Sequence, residues 1–263
     1  MRSDFAAHYG PWALVAGASE GLGAEYARQL AARGLSVLLL ARRAEPLHAL
    51  AAELQQRYAV AAQAAVVDLA DPELPAQLAA AVGSREIGLL VYNAAHSIVG
   101  EFLDQDVSVQ LRTIDVNCRG PVIFSHMLGQ KMAQRRRGGI ILMSSLTSAQ
   151  GVPLIATYAA TKAFDQILAE GLWEELGRHG VDVLACRAGA TRTPNYERSQ
   201  PQGYKGIVGE PSLVVTQALA ALGRGPTVVP GRFNDFVSFC MGRLLPRRTA
   251  VQIMSKSIRS MYK

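Results

Sequence analysis

Cysteine is scarce in this 263-residue sequence: Cys118, Cys186 and Cys240 are odd in number, far apart, and set in apolar or helix-like stretches. They form neither a disulfide framework nor a Cys-x-x-Cys or Cys/His metal spacing. Reduced thiols in a cytoplasmic protein without a metal site are therefore expected. No apolar run is long enough to cross a bilayer. The opening "MRSDFAAHYG" lacks an apolar h-region and a small-residue cleavage site, so no signal peptide is expected. Linkers, repeats and low-complexity segments are missing too, as is any basic stripe interleaved with aromatics, so a nucleic-acid partner is not expected.

What is present is apolar and rhythmic. Hydrophobic residues make up 49% of the chain, with 24 glycines, a composition that supports a buried globular core. Continuous apolar runs at 12–17, 35–41, 64–68, 87–93, 139–145, 181–187 and 226–230 read as strands covered on both faces. Helix-like segments at 22–33, 45–58, 72–82, 108–133, 157–178 and 212–222 alternate with them. That order predicts one α/β domain over 1–263, a doubly wound (Rossmann) seven-stranded parallel sheet with helices on both faces. The stretch 190–210 is long, irregular and rich in Pro and Gly, which suggests a lid over a substrate. Beyond it, Phe233, Phe236, Val237, Cys240 and Leu244 share helical spacing, as do Val251, Met254, Ile258 and Met261, so 231–263 reads as amphipathic helices.

The formal charge of +6 is unevenly placed. From Arg224 onward eight basic residues face Asp235 alone, leaving the preceding body near neutral. A basic amphipathic tail suits a weak contact with an anionic membrane surface or an acidic partner. It equally suits a solvated helix face, the commoner meaning of such a run.

The first strand runs into "AGASEGLG", where Gly17, Gly21 and Gly23 form a G-x-x-x-G-x-G turn. Such glycines let the backbone approach a pyrophosphate, and the helix that follows offers it unpaired N–H groups. At the end of the second strand, where an acidic residue would hold a ribose 2′-hydroxyl, stand Ala41, Arg42 and Arg43. Guanidinium groups there suit a 2′-phosphate, so NADP(H) is the expected cofactor, with Ser19 adding a hydroxyl. Asp68 closes the third strand, as an acceptor for the adenine amine or a turn former. Asn93 closes the fourth, near the cofactor ribose or likewise as a turn former.

"AGASEGLG", "VDL", "YNAA", the "VN" ending at Asn117, "MSS" and "YAATK", taken in order over nearly the whole chain, resemble the short-chain dehydrogenases/reductases. The resemblance implies a catalytic tetrad of Asn117, Ser145, Tyr158 and Lys162. It also implies a cofactor-facing set of Gly17, Ser19, Glu20, Gly21, Leu22, Gly23, Arg42, Arg43, Asp68, Leu69, Asn93, Ala94, Tyr158, Lys162, Gly189, Thr191 and Thr193. The chemistry is consistent with this. A phenol ordinarily titrates near ~10, so Tyr158 needs the cation of Lys162, four residues along the same helix face, to trade a proton with a carbonyl oxygen. Ser145 would hold that oxygen, and Asn117 a water joining Lys162 to solvent. Ala16, Ala95 and Ala188 depart from the family's usual threonine, glycine and proline; they touch loop geometry and leave the tetrad intact.

The expected activity is reversible reduction of a ketone to a secondary alcohol on a hydrophobic small molecule, the resemblance pointing towards hydroxysteroid dehydrogenases. A 3-oxoacyl thioester or carrier-linked reductase is the alternative, and an NADP(H)-sensing binding protein the non-enzymatic one. His96, Leu146, Val152, Pro153, Leu154, Tyr196 and Tyr204 are the expected substrate-pocket residues. The resemblance also implies a homodimer or homotetramer packed through the helices at 108–133 and 157–178.

Overall fold

Neighbouring strand residues belong to two different cores. Val15, Val37, Leu39, Leu89, Val91 and Ile141 pack on one face of the sheet, and Leu14, Leu38, Leu40, Leu90, Ile140 and Leu142 on the other. This alternation with apolar side chains on both faces is what a parallel sheet covered by helices on each side demands. Fully burying one such leucine contributes roughly 1.5–3 kcal/mol.

The computed structural model describes residues 2–198 and 207–262. Strands β1 (Trp12–Ala16), β2 (Ser36–Ala41), β3 (Ala62–Val66), β4 (Ile87–Tyr92), β5 (Gly138–Ser145), β6 (Val181–Ala188) and β7 (Thr227–Val228) form one seven-stranded sheet in the order β3-β2-β1-β4-β5-β6-β7. Every pairing is parallel. The order reverses direction between β1 and β4, the place where doubly wound sheets open a crevice for a ligand. Helices α1 (Arg2–Tyr9), α2 (Gly21–Ala31), α3 (Ala44–Tyr58), α4 (Leu74–Val82), α5 (Val107–Ile114), α6 (Gly120–Arg135) and α7 (Ala156–Gly177) surround it. They are followed by α8 (Pro194–Arg198), α9 (Pro211–Ala221), α10 (Arg232–Phe239) and α11 (Arg247–Met261). Among these, α2, α3 and α9 cover one face, and α4, α6 and α7 the other.

Several local features differ from the sequence reading. The expected single helix over 108–133 is α5 and α6 joined through a π turn at Asp115–Arg119. Helix α1 was not foreseen. Strand β3 lies two residues earlier than expected, because Asp68 Oδ1 accepts from Ala70 N at 3.1 Å and turns the chain out of the sheet. Strand β7 has only two residues; the prolines at 226 and 230 that bracket it have no N–H for the ladder.

The two C-terminal stripes behave differently. Met254, Ile258 and Met261 of α11 pack on Val152, Ile155 and Ala159 beside the start of α7. Phe233, Phe236 and Leu244 remain exposed, so their helical spacing marks no core face.

Candidate active site

The glycine turn between β1 and α2 is shaped by close approach. Gly17 has φ of +79°, and a Cβ there would meet the backbone of Ala94; a Cβ on Gly23 would collide with the Gly17 carbonyl oxygen. Asn93 donates from Nδ2 to that same carbonyl at 3.0 Å, tying the turn to the end of β4. No side chain caps the N-terminus of α2, which leaves its first N–H groups free for an anion. A cradle that excludes Cβ atoms and ends in an uncapped helix fits a dinucleotide pyrophosphate.

Beside this cradle, Arg43 donates from Nη2 to Ser19 Oγ at 2.9 Å and pairs with the Glu20 carboxylate at 2.9 Å, while Arg42 is exposed. Glu20 also pairs with Arg198 at the end of α8. The Arg198 hydrogen bond, opposed by partial burial and assisted by Arg43, holds the Glu20 carboxyl below its ordinary range. The structure therefore places Glu20 as a bridge between the two arginines, where a cofactor contact was expected.

Asp68 differs in a similar way. Arg112 of α5 donates to both its oxygens at 2.9 and 2.8 Å. Burial pushes the Asp68 carboxyl up, but Arg112 and the Ala70 amide outweigh it and hold the group below its usual value. The turn-former reading matches this geometry, and the carboxylate keeps acceptor capacity beyond its bonds to Arg112 and Ala70 N. Leu69 is buried in the core, and Thr191 donates to the Gly189 carbonyl at 2.9 Å. Thr193 packs where a Cβ on Gly21 would sit, and its Oγ1 accepts from Tyr196 N at 3.2 Å. Leu22 packs against the core from the first turn of α2.

Ser145, Tyr158, Lys162 and Asn117 converge from three elements. Ser145 ends β5, and its Oγ accepts from Thr147 N at 3.2 Å. Its neighbour Ser144 faces the other way and donates to the Lys162 carbonyl at 2.7 Å, pinning α7 to the strand. Lys162 Nζ lies 5.7 Å from the centroid of the Tyr158 ring. It donates to Met143 O at 2.7 Å and to Asp165 Oδ2 at 2.9 Å, which leaves one of its three N–H donors for a ligand. Burial presses the Lys162 ammonium down, but Asp165 and Tyr158 outweigh it and hold the group above the ordinary lysine value.

Asn117 sits in the π turn, a helix irregularity that recurs at functional sites. Its Oδ1 accepts from His96 N at 2.7 Å, and its Nδ2 donates to His96 O at 2.9 Å and Thr161 Oγ1 at 3.0 Å. The expected water-holding amide is thus a clamp between the loop after β4, the π turn and α7.

A shallow cleft opens beside Tyr158. Ile98, Phe102, Leu154 and Ile155 supply its apolar wall, and Gln105, Gln110 and Thr113 its polar one. Among the expected pocket residues that are described, only Leu154 lines this cleft. His96 Nδ1 instead pairs with Thr113 Oγ1 at 2.9 Å, and burial, with Arg112 and Arg42, lowers its pKa. Val152 is buried under α11, and Leu146, Pro153 and Tyr196 are half-buried outside the cleft lining. Burial, then the nearby Tyr262, raises the Tyr196 phenol against the pull of Arg192. Tyr204 lies outside the described residues, as does much of the expected lid at 190–210. The sequence reading missed Gln110, Thr113 and Arg112, all on α5; their spacing of one to three residues gives no sign of a shared site.

The short chain dehydrogenase family model matches residues 11–203. This chain belongs to that family. It is 30% identical over 234 residues to a 7beta-hydroxysteroid dehydrogenase of Clostridium sardiniense, covering 88% of this chain and 89% of that protein. A very-long-chain 3-oxoacyl-CoA reductase of Podospora anserina is 35% identical over 240 residues, 89% of this chain but 63% of that protein. Among solved structures, one from a study of 7beta-hydroxysteroid dehydrogenase stereoselectivity superposes with a TM-score of 0.90 at 28% identity, covering 95% of this chain and 98% of the other. A short-chain dehydrogenase from Sphingobium yanoikuyae in complex with NADPH gives a TM-score of 0.77 at 32% identity, over 84% and 87%. This short chain dehydrogenase is therefore an oxidoreductase whose relatives include hydroxysteroid dehydrogenases and 3-oxoacyl reductases.

Proposed function

We propose that this chain interconverts a bulky ketone and its secondary alcohol with NADP(H). The observation that carries the reading is Tyr158: its ring lies beside Lys162 and borders a shallow cleft with an apolar wall of Ile98, Phe102, Leu154 and Ile155. When bound, the reduced nicotinamide supplies the hydride that the carbonyl carbon accepts. Tyr158 then gives its phenolic proton to the carbonyl oxygen, and the ammonium of Lys162 stabilises the phenolate left behind. Ser145 Oγ holds the oxygen in line, and Asn117 keeps the π turn and α7 in register. In the reverse direction the phenolate takes the alcohol proton. Arg42 and Arg43 are the groups assigned to the 2′-phosphate, with Ser19 beside them.

A bulky alicyclic ketone is favoured over a thioester because the match to hydroxysteroid dehydrogenases runs over nearly the full length of both proteins. A screen of NADPH oxidation against ketosteroids, 3-oxoacyl thioesters and small ketones tests this. Turnover confined to the thioesters would replace the substrate reading, and no turnover with any class would point to a binding protein. Exposed Leu111 and Ile114 on α5, with Ile167 and Trp173 on α7, support a homodimer through these helices.

A further inference from the structure

Buried ion pairs contribute little to stability, because desolvating both partners cancels most of their attraction; a buried pair is more informative about position. Lys162 and Asp165 form such a pair, with side chains only 3% and 2% exposed and Nζ 2.9 Å from Oδ2. The other carboxylate oxygen, Oδ1, is buried and accepts no hydrogen bond. An acid that spends one oxygen on a single cation and buries the second without a protein partner is costly as a structural element. It is nevertheless one turn along α7 from the lysine on which the proton transfer proposed above depends.

Apart from Asp165, the acceptor found for Nζ is the Met143 carbonyl. An ammonium so deeply enclosed, with one neutral acceptor, is driven towards its uncharged form. A neutral amine would give Tyr158 no electrostatic help. The titratable groups acting on the pair are Tyr158 on α7, Cys118 in the π turn and Tyr92 on β4. On β6, Arg187 is engaged with Ser148. Burial, then Asp165, raises the Cys118 thiol to about 11, and burial, then Asp165, raises the Tyr92 phenol, so both are neutral at ordinary pH and neither replaces a carboxylate. Burial raises Asp165 itself, against the pull of Lys162.

We propose that Asp165 is a positioning residue for the reaction: its carboxylate is the fixed counter-charge that keeps the enclosed Lys162 ammonium charged and berthed beside the Tyr158 phenol. The role rests on the proposed reading of Tyr158 and Lys162, but its physical core does not need turnover to be seen. Asp165 does not touch substrate; it acts through Lys162.

The test uses the full chain with Asp165→Asn, which keeps the shape and removes the charge. In cofactor-free protein labelled with 13Cε-lysine, the Lys162 signal of the wild type should keep its protonated position through the ordinary lysine value of 10.5. In Asp165→Asn it should titrate below that value. With cofactor and ketone, kcat for reduction at neutral pH should fall about tenfold with KM for the ketone little changed, the size expected for losing one charge-assisted contact. The rising limb of alcohol oxidation with pH should move to higher pH, because the phenolate has lost its cation. Asp165→Glu should recover part of each effect.

An unchanged Lys162 titration in Asp165→Asn, or an oxidation limb that moves to lower pH, would overturn the proposal. If Asp165→Asn does not fold, Asp165→Leu combined with Lys162→Met decides. A folded double variant identifies the unpaired ammonium as the fault and supports the role, whereas an unfolded one makes Asp165 a packing residue and overturns it. Because the lysine titration is read without substrate, an inactive wild type with a shifted lysine titration in Asp165→Asn would overturn the catalytic reading while still showing that Asp165 keeps Lys162 charged.

Discussion

The Asn117 amide holds α7 to the π turn: its Nδ2 lies 3.0 Å from Thr161 Oγ1, and Thr161 Oγ1 donates in turn to the Tyr158 carbonyl at 2.8 Å. With Oδ1 and the second amide hydrogen engaged by His96, all of this occurs at a side chain that is 0% exposed. Asn117→Ala leaves the His96 peptide groups unpaired in a dry setting, where each such group costs roughly 1–3 kcal/mol. The expected loss is about 3 kcal/mol, read as a lower denaturant midpoint at unchanged slope. A stable Asn117→Ala variant would mean that water enters and replaces the amide.

Tyr158→Phe removes the one hydroxyl assigned to proton transfer and nothing that binds the dinucleotide phosphates. Turnover should fall by about 10²–10⁴-fold, while NADPH still quenches or shifts protein fluorescence at nearly wild-type concentrations. Retained turnover would end the acid–base assignment.

Cofactor choice is open to a direct comparison of Michaelis constants. Arg42→Asp combined with Arg43→Ala removes two guanidinium groups and adds a charge that repels a 2′-phosphate. At roughly 1.5–3 kcal/mol per charged hydrogen bond, the NADPH constant should rise about tenfold or more. The NADH constant should change far less, since its ribose has no phosphate to lose. Equal changes in both would show that these arginines serve loop structure alone.

The glycine turn predicts a different failure. Gly23 has no unusual φ; it is needed because a Cβ would collide with the Gly17 carbonyl and crowd Asn93 Nδ2. Gly23→Ala should weaken NADPH binding more than it lowers the melting temperature, because the displaced backbone is the phosphate cradle and the sheet beneath it is untouched. Fluorescence titration beside a melting curve separates the two.

The sheet was legible because its information is local. Runs such as "SVLLLA" declare a strand buried on both faces, and the alternation of strands with amphipathic helices leaves few topologies. The tetrad came from the family resemblance; in the structure Tyr158 and Lys162 share α7, and Ser145 ends β5. Illegible were the partners supplied across the fold. Arg112 reaches Asp68 from 44 residues away, and Glu20 meets Arg198 from 178. Nothing in either neighbourhood announces the other. The packing of Val152 was illegible for the same reason: α11, about a hundred residues on, covers it. The π turn was hidden because its residues have ordinary helical character, and only the amide of Asn117 bridging to His96 shows why the helix widens there. Asp165 sat in plain view three residues past Lys162, but a helix-face carboxylate reads as solvated until its burial is known.

The bridge from α8 through Glu20 to Arg43 gives a stability signal whose sign is fixed. Glu20 has its folded pKa held below the ordinary 4.5, by the Arg198 hydrogen bond first and then, against partial burial, by Arg43. A carboxylate with a lowered folded pKa adds stability that is fully present above its unfolded pKa and is lost as the pH falls through the folded one. The wild type should therefore melt above Glu20→Gln at neutral pH, and the gap should close as the pH drops below 4.5. Both arginines are half exposed, so solvent screening keeps the gap under about 1 kcal/mol. The same substitution frees Arg43 from its carboxylate, and NADPH should bind Glu20→Gln more tightly than wild type while NADH binding stays level. A melting gap that persists unchanged well below 4.5 would show that Glu20 acts through packing, and weaker NADPH binding would show that its carboxylate orients Arg43 towards the phosphate.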